Sequence, residues 1–347
     1  MPSTNRRASA AEAAMNTHSD VAASLIAAVS QRPHQSNAKV DNFKLELPIG
    51  TVFVGHLNTD LDSIASSVGA AFLFDGEVAA ASKLNSETEF SLKKWEIEPP
   101  PAFSADTSHK GKNVCLMDHN QVSQMAVGLD PMKVIGIIDH HALQSGTIVT
   151  DKPVYVDIRP WGSACSIVAH TFLRIRKPMP PNVAGLLLSG ILSDTLNLRS
   201  PTTTPSDQLM VAVLATVAKC KDIEELADEQ FKAKSAALMH MSPYEICCGD
   251  QKVFNAKSPV DGTTVAIGFG VVETTDPKSM INRIDELMIE VAALKVEQKL
   301  DYSYLAIVDV VKLTSTLVLI GACNAQHATH CGFFFYLSAT TPRICRR

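Results

Sequence analysis

No stretch of this chain is apolar for long enough to cross a bilayer as a helix, which takes about 20 consecutive residues. The N-terminal region also lacks the apolar core of a secretory signal. No C-x-x-C pair occurs among the eight cysteines, at 115, 165, 220, 247, 248, 323, 331 and 345. That spacing excludes a structural zinc site. With several cysteines inside apolar runs, it reads as reduced, buried thiols of an intracellular protein, not as a disulfide framework. An excess of positive charge is missing too. The 31 Lys and Arg stand against 36 Asp and Glu, a formal charge of −5, which offers nucleic acid no electrostatic attraction. What these absences leave is a cytoplasmic protein of 347 residues with neither membrane nor nucleic acid as a partner, long enough for two domains with sizeable cores.

The informative segments are junctions. The apolar run Thr51 to Val54 passes directly into Gly55-His56-Leu57-Asn58-Thr59-Asp60-Leu61-Asp62-Ser63-Ile64, and an alanine-rich helical stretch begins near Asp62. One imidazole and two carboxylates therefore sit in a tight loop at the end of a strand, the edge of an α/β sheet where ligands bind. Asn113 to Met117 runs in the same way into Asp118-His119-Asn120, and Val134 to Ile138 runs into Asp139-His140-His141. Asp194 follows a helical apolar run, Ala184 to Leu192. Any single Asp-His pair after a strand is ordinarily a turn or a helix cap. Three strand ends carrying such groups to one sheet edge, with Asp194 added, point to a site for hard divalent cations held by oxygen and imidazole donors.

On these residues the chain resembles the DHH phosphoesterase superfamily, whose motif stands here as Asp139-His140-His141, and within it the family II, manganese-dependent inorganic pyrophosphatases. The family's G-H-x-N-x-D-x-D-[ST]-I is met at every fixed position by residues 55–64, and its D-H-N by 118–120. Ser193-Asp194 with Arg199-Ser200-Pro201-Thr202 matches S-D-[ST]…[KR]-S-P-T, and Asp250 to Phe254 resembles D-x-K-x-F. Exopolyphosphatases of the same superfamily share the layout but carry Asn where His56 stands, and they are the alternative reading.

The resemblance implies a fold: a mostly parallel α/β catalytic domain of the DHH type, then a smaller α+β C-terminal domain of the DHHA2 type. It implies hydrolysis of pyrophosphate to two orthophosphates by a hydroxide bridging two metals. Those metals would be Mn2+, with Co2+ or Mg2+ as alternatives and further Mg2+ arriving with the substrate. His56 and Asp60 would hold one metal together with Asp194, Asp62 and His140 the other, and the catalytic Asp118 would bridge the two. His141 and Lys252 would act in catalysis and contact the phosphates, and Arg199 would help to bind them. His119 is expected in packing behind the ligands. A homodimer is implied as well.

Alternation of apolar strands with helices, from strand 51–55 through helices near 162–176, 181–192 and 206–219, agrees with a parallel sheet covered on both faces. Thr202 to Thr204 with Asp207 reads as the cap of the last of these helices. The expected organisation is a disordered extension over 1–46, a catalytic domain over 47–234 and a C-terminal domain over 235–347. The extension is rich in Ala and Ser, with Arg6 and Arg7 near its start, and organelle targeting is its alternative role. In the second domain Asp276 to Leu300 reads as one long helix, followed by a hairpin. Beyond the hairpin the family continues to S-R-K-K-Q. Here Cys323 to Arg347 contains no such motif and ends on Arg343-Ile344-Cys345-Arg346-Arg347. A metal-binding but catalytically impaired chain is therefore a second alternative.

Overall fold

Three runs of apolar residues, too short for helices and rich in Val and Ile, become the centre of the first sheet. The computed structural model describes residues 9–30, 47–257 and 262–320. The C-terminal segment without S-R-K-K-Q lies outside the described residues. Helix α1 (Ala10–Ser30) is followed by β1 (Val52–Val54), α2 (Leu61–Phe74), β2 (Glu77–Ala79), α3 (Ser86–Lys94), β3 (Val114–Met117), β4 (Val134–Asp139) and β5 (Tyr155–Ile158). Then come α4 (Ala164–Ile175), α5 (Pro181–Asp194), α6 (Pro205–Ala218) and α7 (Ile223–Leu238). All five strands are parallel, in the order β2-β1-β3-β4-β5. Every residue of β1 and β3 is buried, as expected for strands covered on both faces.

The order places the topological switch between β1 and β3, because the chain leaves β1 toward β2 and returns to β3 on the other side. Loops at such a point diverge and leave a crevice. Helix α2 starts at a capping box in which Asp60 accepts from the Ser63 amide and Ser63 Oγ accepts from the Asp60 amide. Its small residues let α5 approach closely: a Cβ on Gly69 would lie 2.8 Å from Leu187 Cδ2. The N-terminal extension differs from expectation. Residues 10–30 form α1, which packs against α6 and buries Ala11, Ala14 and Ala22. An alanine face carries little hydropathy contrast, so the stretch reads as composition bias until its partner helix is known.

The chain divides into Met1–Gln230 and Phe231–Arg347, so the boundary falls within α7, just before the expected 234. The second unit holds α8 (Pro243–Cys248), β6 (Gln251–Lys257), β7 (Thr264–Thr274), α9 (Pro277–Asn282), α10 (Ile284–Glu297), β8 (Tyr302–Asp309) and β9 (Thr314–Ile320). Its sheet runs β6-β7-β8-β9, with β7 and β8 parallel and the outer pairs antiparallel. The expected single helix over 276–300 is two, broken at Arg283, which leaves the helical register between α9 and α10. Leu287, Val291 and Leu294, spaced for one face of α10, share a core with Val272, Leu305 and Ile307 of the sheet. Parallel neighbours need a crossover, and α9 with α10 provides it.

Candidate metal centre

The loops that follow three adjacent strands, β1, β3 and β4, carry His56, Asp118 and His140. Asp60 arrives as the N-cap of α2, Asp62 on its first turn, and Asp194 as the last residue of α5. Asp118 adopts a left-handed backbone, φ 62°, which an aspartate tolerates at modest strain, and its amide donates to Ile138 O across the sheet. The effect is to turn a fully buried carboxylate into the crevice between the two histidines. Asp118 Oδ2 lies 3.3 Å from His56 Nε2, and Asp118 Oδ1 lies 3.0 Å from His140 Nε2.

Around this carboxylate the donors fall into two main groups. His56, Asp60 and Asp118 form one, with His56 Nε2 3.3 Å from Asp60 Oδ2. Asp62, Asp118, His140 and Asp194 form the other, with His140 Nε2 3.3 Å from Asp194 Oδ2 and 3.8 Å from Asp62 Oδ2. The partition corrects one expectation. The resemblance puts Asp194 beside His56 and Asp60, whereas here Asp194 stands with His140 and Asp62. The reason is tertiary: α5 packs along α2, which lays its C-terminal end at Asp62.

The residues fit hard divalent cations. Asp118 Oδ1 and His140 Nε2 are both buried without a hydrogen-bond partner. His140 Nδ1 is 3.0 Å from Trp161 O, an acceptor only, so the ring proton of neutral His140 sits on Nδ1 and the Nε2 lone pair faces the carboxylates. Orphaned buried donors of this kind cost about 1–3 kcal/mol each unless something satisfies them. The groups contain oxygen and imidazole donors with no thiolate, a set suited to Mn or Mg.

Electrostatics agrees. Four carboxylates, Asp60, Asp62, Asp118 and Asp194, crowd the space around the imidazoles of His56 and His140. Burial and the Asp118 charge push Asp62 up to about 6, and burial with the charge of Asp62 raises Asp194 well above the usual range. Burial opposes charge on both His56 and His140, yet the neighbouring carboxylates win and raise both imidazoles. Asp118 moves the other way: burial alone would raise it, but the imidazoles of His140 and His56, positively charged when they carry a second proton, hold it well down. Protons held by these groups would give way to cations, which would neutralise the same charge.

His141 stands at the mouth, its side chain 40% exposed, with Nδ1 2.9 Å from Asp139 Oδ1. Nε2 is thus the nitrogen that Asp139 does not engage. The motif alone assigns Asp139 no role, yet it is the hub of this corner. It is fully buried; its Oδ1 also accepts from the amides of His140 and His141, and its Oδ2 accepts from Asn120 Nδ2 at 2.6 Å. His119 is buried as expected, its Nδ1 bonded to Met117 O and its ring edge-on to His56, and burial lowers it to about 4. Arg199 lies beyond Asp194 after three successive left-handed residues, Leu196, Asn197 and Leu198, with its Nε donating to Leu196 O. Lys252 is exposed on β6 of the second unit, opposite Phe269.

Comparison with known proteins places these residues in company. Residues 51–191 match the model of the DHH family, N-terminal domain, and residues 228–335 match the DHHA2 domain. A Deinococcus radiodurans protein named "Probable manganese-dependent inorganic pyrophosphatase" is 36% identical over 278 residues, 78% of this chain and 86% of that protein. The manganese-dependent inorganic pyrophosphatase of Methanocaldococcus jannaschii is 33% identical over 276 residues, 77% of this chain and 86% of the relative. A crystal structure of a family II inorganic pyrophosphatase candidate from Methanococcus jannaschii superposes with a TM-score of 0.67 at 33% identity, covering 78% of this chain and 87% of that one.

Proposed function

Because this chain belongs to the family of manganese-dependent inorganic pyrophosphatases, we propose that it hydrolyses inorganic pyrophosphate to two orthophosphates. The observation that carries the reading is the single carboxylate of Asp118, whose two oxygens lie near histidines from two different donor groups. We assign one Mn2+ to His56, Asp60 and Asp118 and a second to Asp62, Asp118, His140 and Asp194, with Co2+ or Mg2+ as substitutes and further Mg2+ accompanying the substrate. When bound, such a pair supplies a water of lowered pKa and neutralises phosphate charge.

The chain's own residues do the rest. Asp118 would hold both cations, and the other carboxylates and the imidazoles of His56 and His140 would complete their ligand sets. His141 donates a proton or hydrogen bond to the departing phosphate through Nε2, oriented by Asp139. Lys252 and Arg199 bind the remaining phosphate oxygens by charge-assisted hydrogen bonds. Phosphoryl transfer asks a protein for positioning and charge stabilisation, so no nucleophilic Ser or Cys is needed.

On this reading the enzyme is a cytoplasmic homodimer. Val156, 54% exposed on the edge strand β5, supports pairing between copies, and sedimentation across a concentration series tests it. No helix among the described residues is long and apolar enough to cross a membrane. The decisive assay is phosphate release from pyrophosphate with Mn2+ and then Mg2+, beside tripolyphosphate. Mn2+-stimulated release from pyrophosphate is expected. Preference for tripolyphosphate would replace the assignment with exopolyphosphatase, and Mn2+ binding without release from either would identify an impaired chain.

A further inference from the structure

The turn that opens α4 reaches two metal-site residues at once. Its Trp161 carbonyl accepts from His140 Nδ1 at 3.0 Å. Ser163 Oγ donates to Asp62 Oδ1 at 2.6 Å, and the amides of Ala164 and Cys165 donate to Asp62 Oδ2 and Oδ1 at 2.7 and 3.0 Å. Between them Gly162 donates its N–H to Asp207 Oδ2 at 2.9 Å. Gly162 has no slack, since a Cβ there would lie 2.8 Å from Thr195 Cγ2 and 2.9 Å from Asp207 Oδ2.

Asp207 is fully buried on α6 and belongs to none of the groups that could hold a metal. As a helix cap it needs only Thr204, whose amide and hydroxyl donate to Oδ2 at 2.8 and 2.6 Å. Its other bonds go to the turn and to the helix behind it, from Gly162 N and from Ser166 Oγ, the latter at 2.6 Å to Oδ1. A carboxylate with four donors from two helices is a fixed post.

We infer that Asp207 is a positioning residue of the metal centre: by holding Gly162 and Ser166 it fixes the 161–165 turn, and the turn orients the His140 ring and the Asp62 carboxylate. The inference rests on the two-position reading above. Partners behind the ligands set ring orientation and ligand basicity, and losing one typically weakens metal binding about 10- to 100-fold. The effect is one-sided. His56 is placed by the loop after β1 and Asp60 by the cap of α2, so the position they share with Asp118 does not depend on this turn.

The test is a calorimetric Mn2+ titration of the full chain without substrate, comparing wild type with Asp207→Asn, which keeps the shape but turns an amide toward the donors. One of two binding steps is expected to weaken about 10- to 100-fold while the other stays within about threefold. Equal weakening of both steps, or of neither, overturns the inference. A single wild-type step overturns the two-position reading itself and the inference with it. Thr204→Ala, which removes the cap and spares the bonds to α4, is expected to lower the unfolding temperature and move neither step; selective weakening equal to that of Asp207→Asn would assign the effect to the helix end and sink the inference. Should Asp207→Asn unfold by circular dichroism, Ser166→Ala carries the same comparison. It cuts one arm only, and the same selective weakening, smaller in size, is expected; none would count against the role.

Discussion

The two oxygens of Asp118 serve different histidines: Oδ2 is 3.3 Å from His56 Nε2, and Oδ1 is 3.0 Å from His140 Nε2. No other carboxylate of the centre belongs to both main donor groups. Asp118→Ala is therefore expected to disable both metal positions together and lower turnover by about 10³-fold or more, the equivalent of about 4 kcal/mol in the barrier. Phosphate release under saturating Mn2+ checks this. A variant within about tenfold of wild type would rule out a shared carboxylate at the heart of the mechanism.

Asp139 does not face the cations in this assignment; it holds His141 through Oδ1 at 2.9 Å. Asp139→Asn replaces one acceptor oxygen with an NH2 group and loosens that ring. The expected result is a fall in kcat of about 10²-fold, the scale of a misplaced acid catalyst, with KM nearly unchanged. A rise in KM at constant kcat would instead move His141 from proton donation to simple phosphate binding.

Gly190 sits where α5 crosses the buried side of the centre. A Cβ there would come 2.5 Å from Cys165 Sγ and 3.3 Å from Asp62 Oδ1. Gly190→Ala is expected to destabilise by about 1–3 kcal/mol through overpacking. Adding Cys165→Ala removes the sulfur and should restore part of that loss, a non-additivity readable by urea unfolding of the two single variants and the double. Strict additivity would show that the backbone, not the sulfur, takes up the strain.

Proton release gives the pH dependence. Without metal, Asp62 is raised to about 6 and Asp194 is raised as well, so both hold protons in mildly acid solution. Cations need the ionised carboxylates and the unprotonated imidazoles, so binding expels protons. Mn2+ affinity is expected to climb as pH rises through about 6, where Asp62 ionises, and to go on climbing above it, because the raised imidazoles of His56 and His140 still hold protons there. Calorimetry in buffers of different ionisation enthalpy counts the protons. Affinity independent of pH between 5 and 8 would contradict the crowding of carboxylates described above.

The strand-end ligands were legible because each lies at a junction whose two sides are local. An apolar run that stops at Asp or His marks a strand meeting its loop, as at Val54-Gly55-His56 and Met117-Asp118. Elements with weak local contrast were not legible. Three-residue β2 and polar α3 carry no strong period, and α1 buries only alanines. Asp207 read as a cap and is one, with Thr204 completing the box. Its bonds to Gly162 and Ser166 span 45 and 41 residues and leave no trace in local sequence.

By itself the sequence placed the candidate donors, six side chains of hard or borderline character, at strand and helix ends, because local hydropathy and capping chemistry suffice to put them there. Only the tertiary structure decided how they are shared. The packing of α5 along α2 put Asp194 with His140 instead of His56, and the left-handed turn at Asp118 aimed one carboxylate at both histidines. Those outcomes depend on how helices and strands distant in sequence pack together, and packing is a property of the whole domain rather than of any segment.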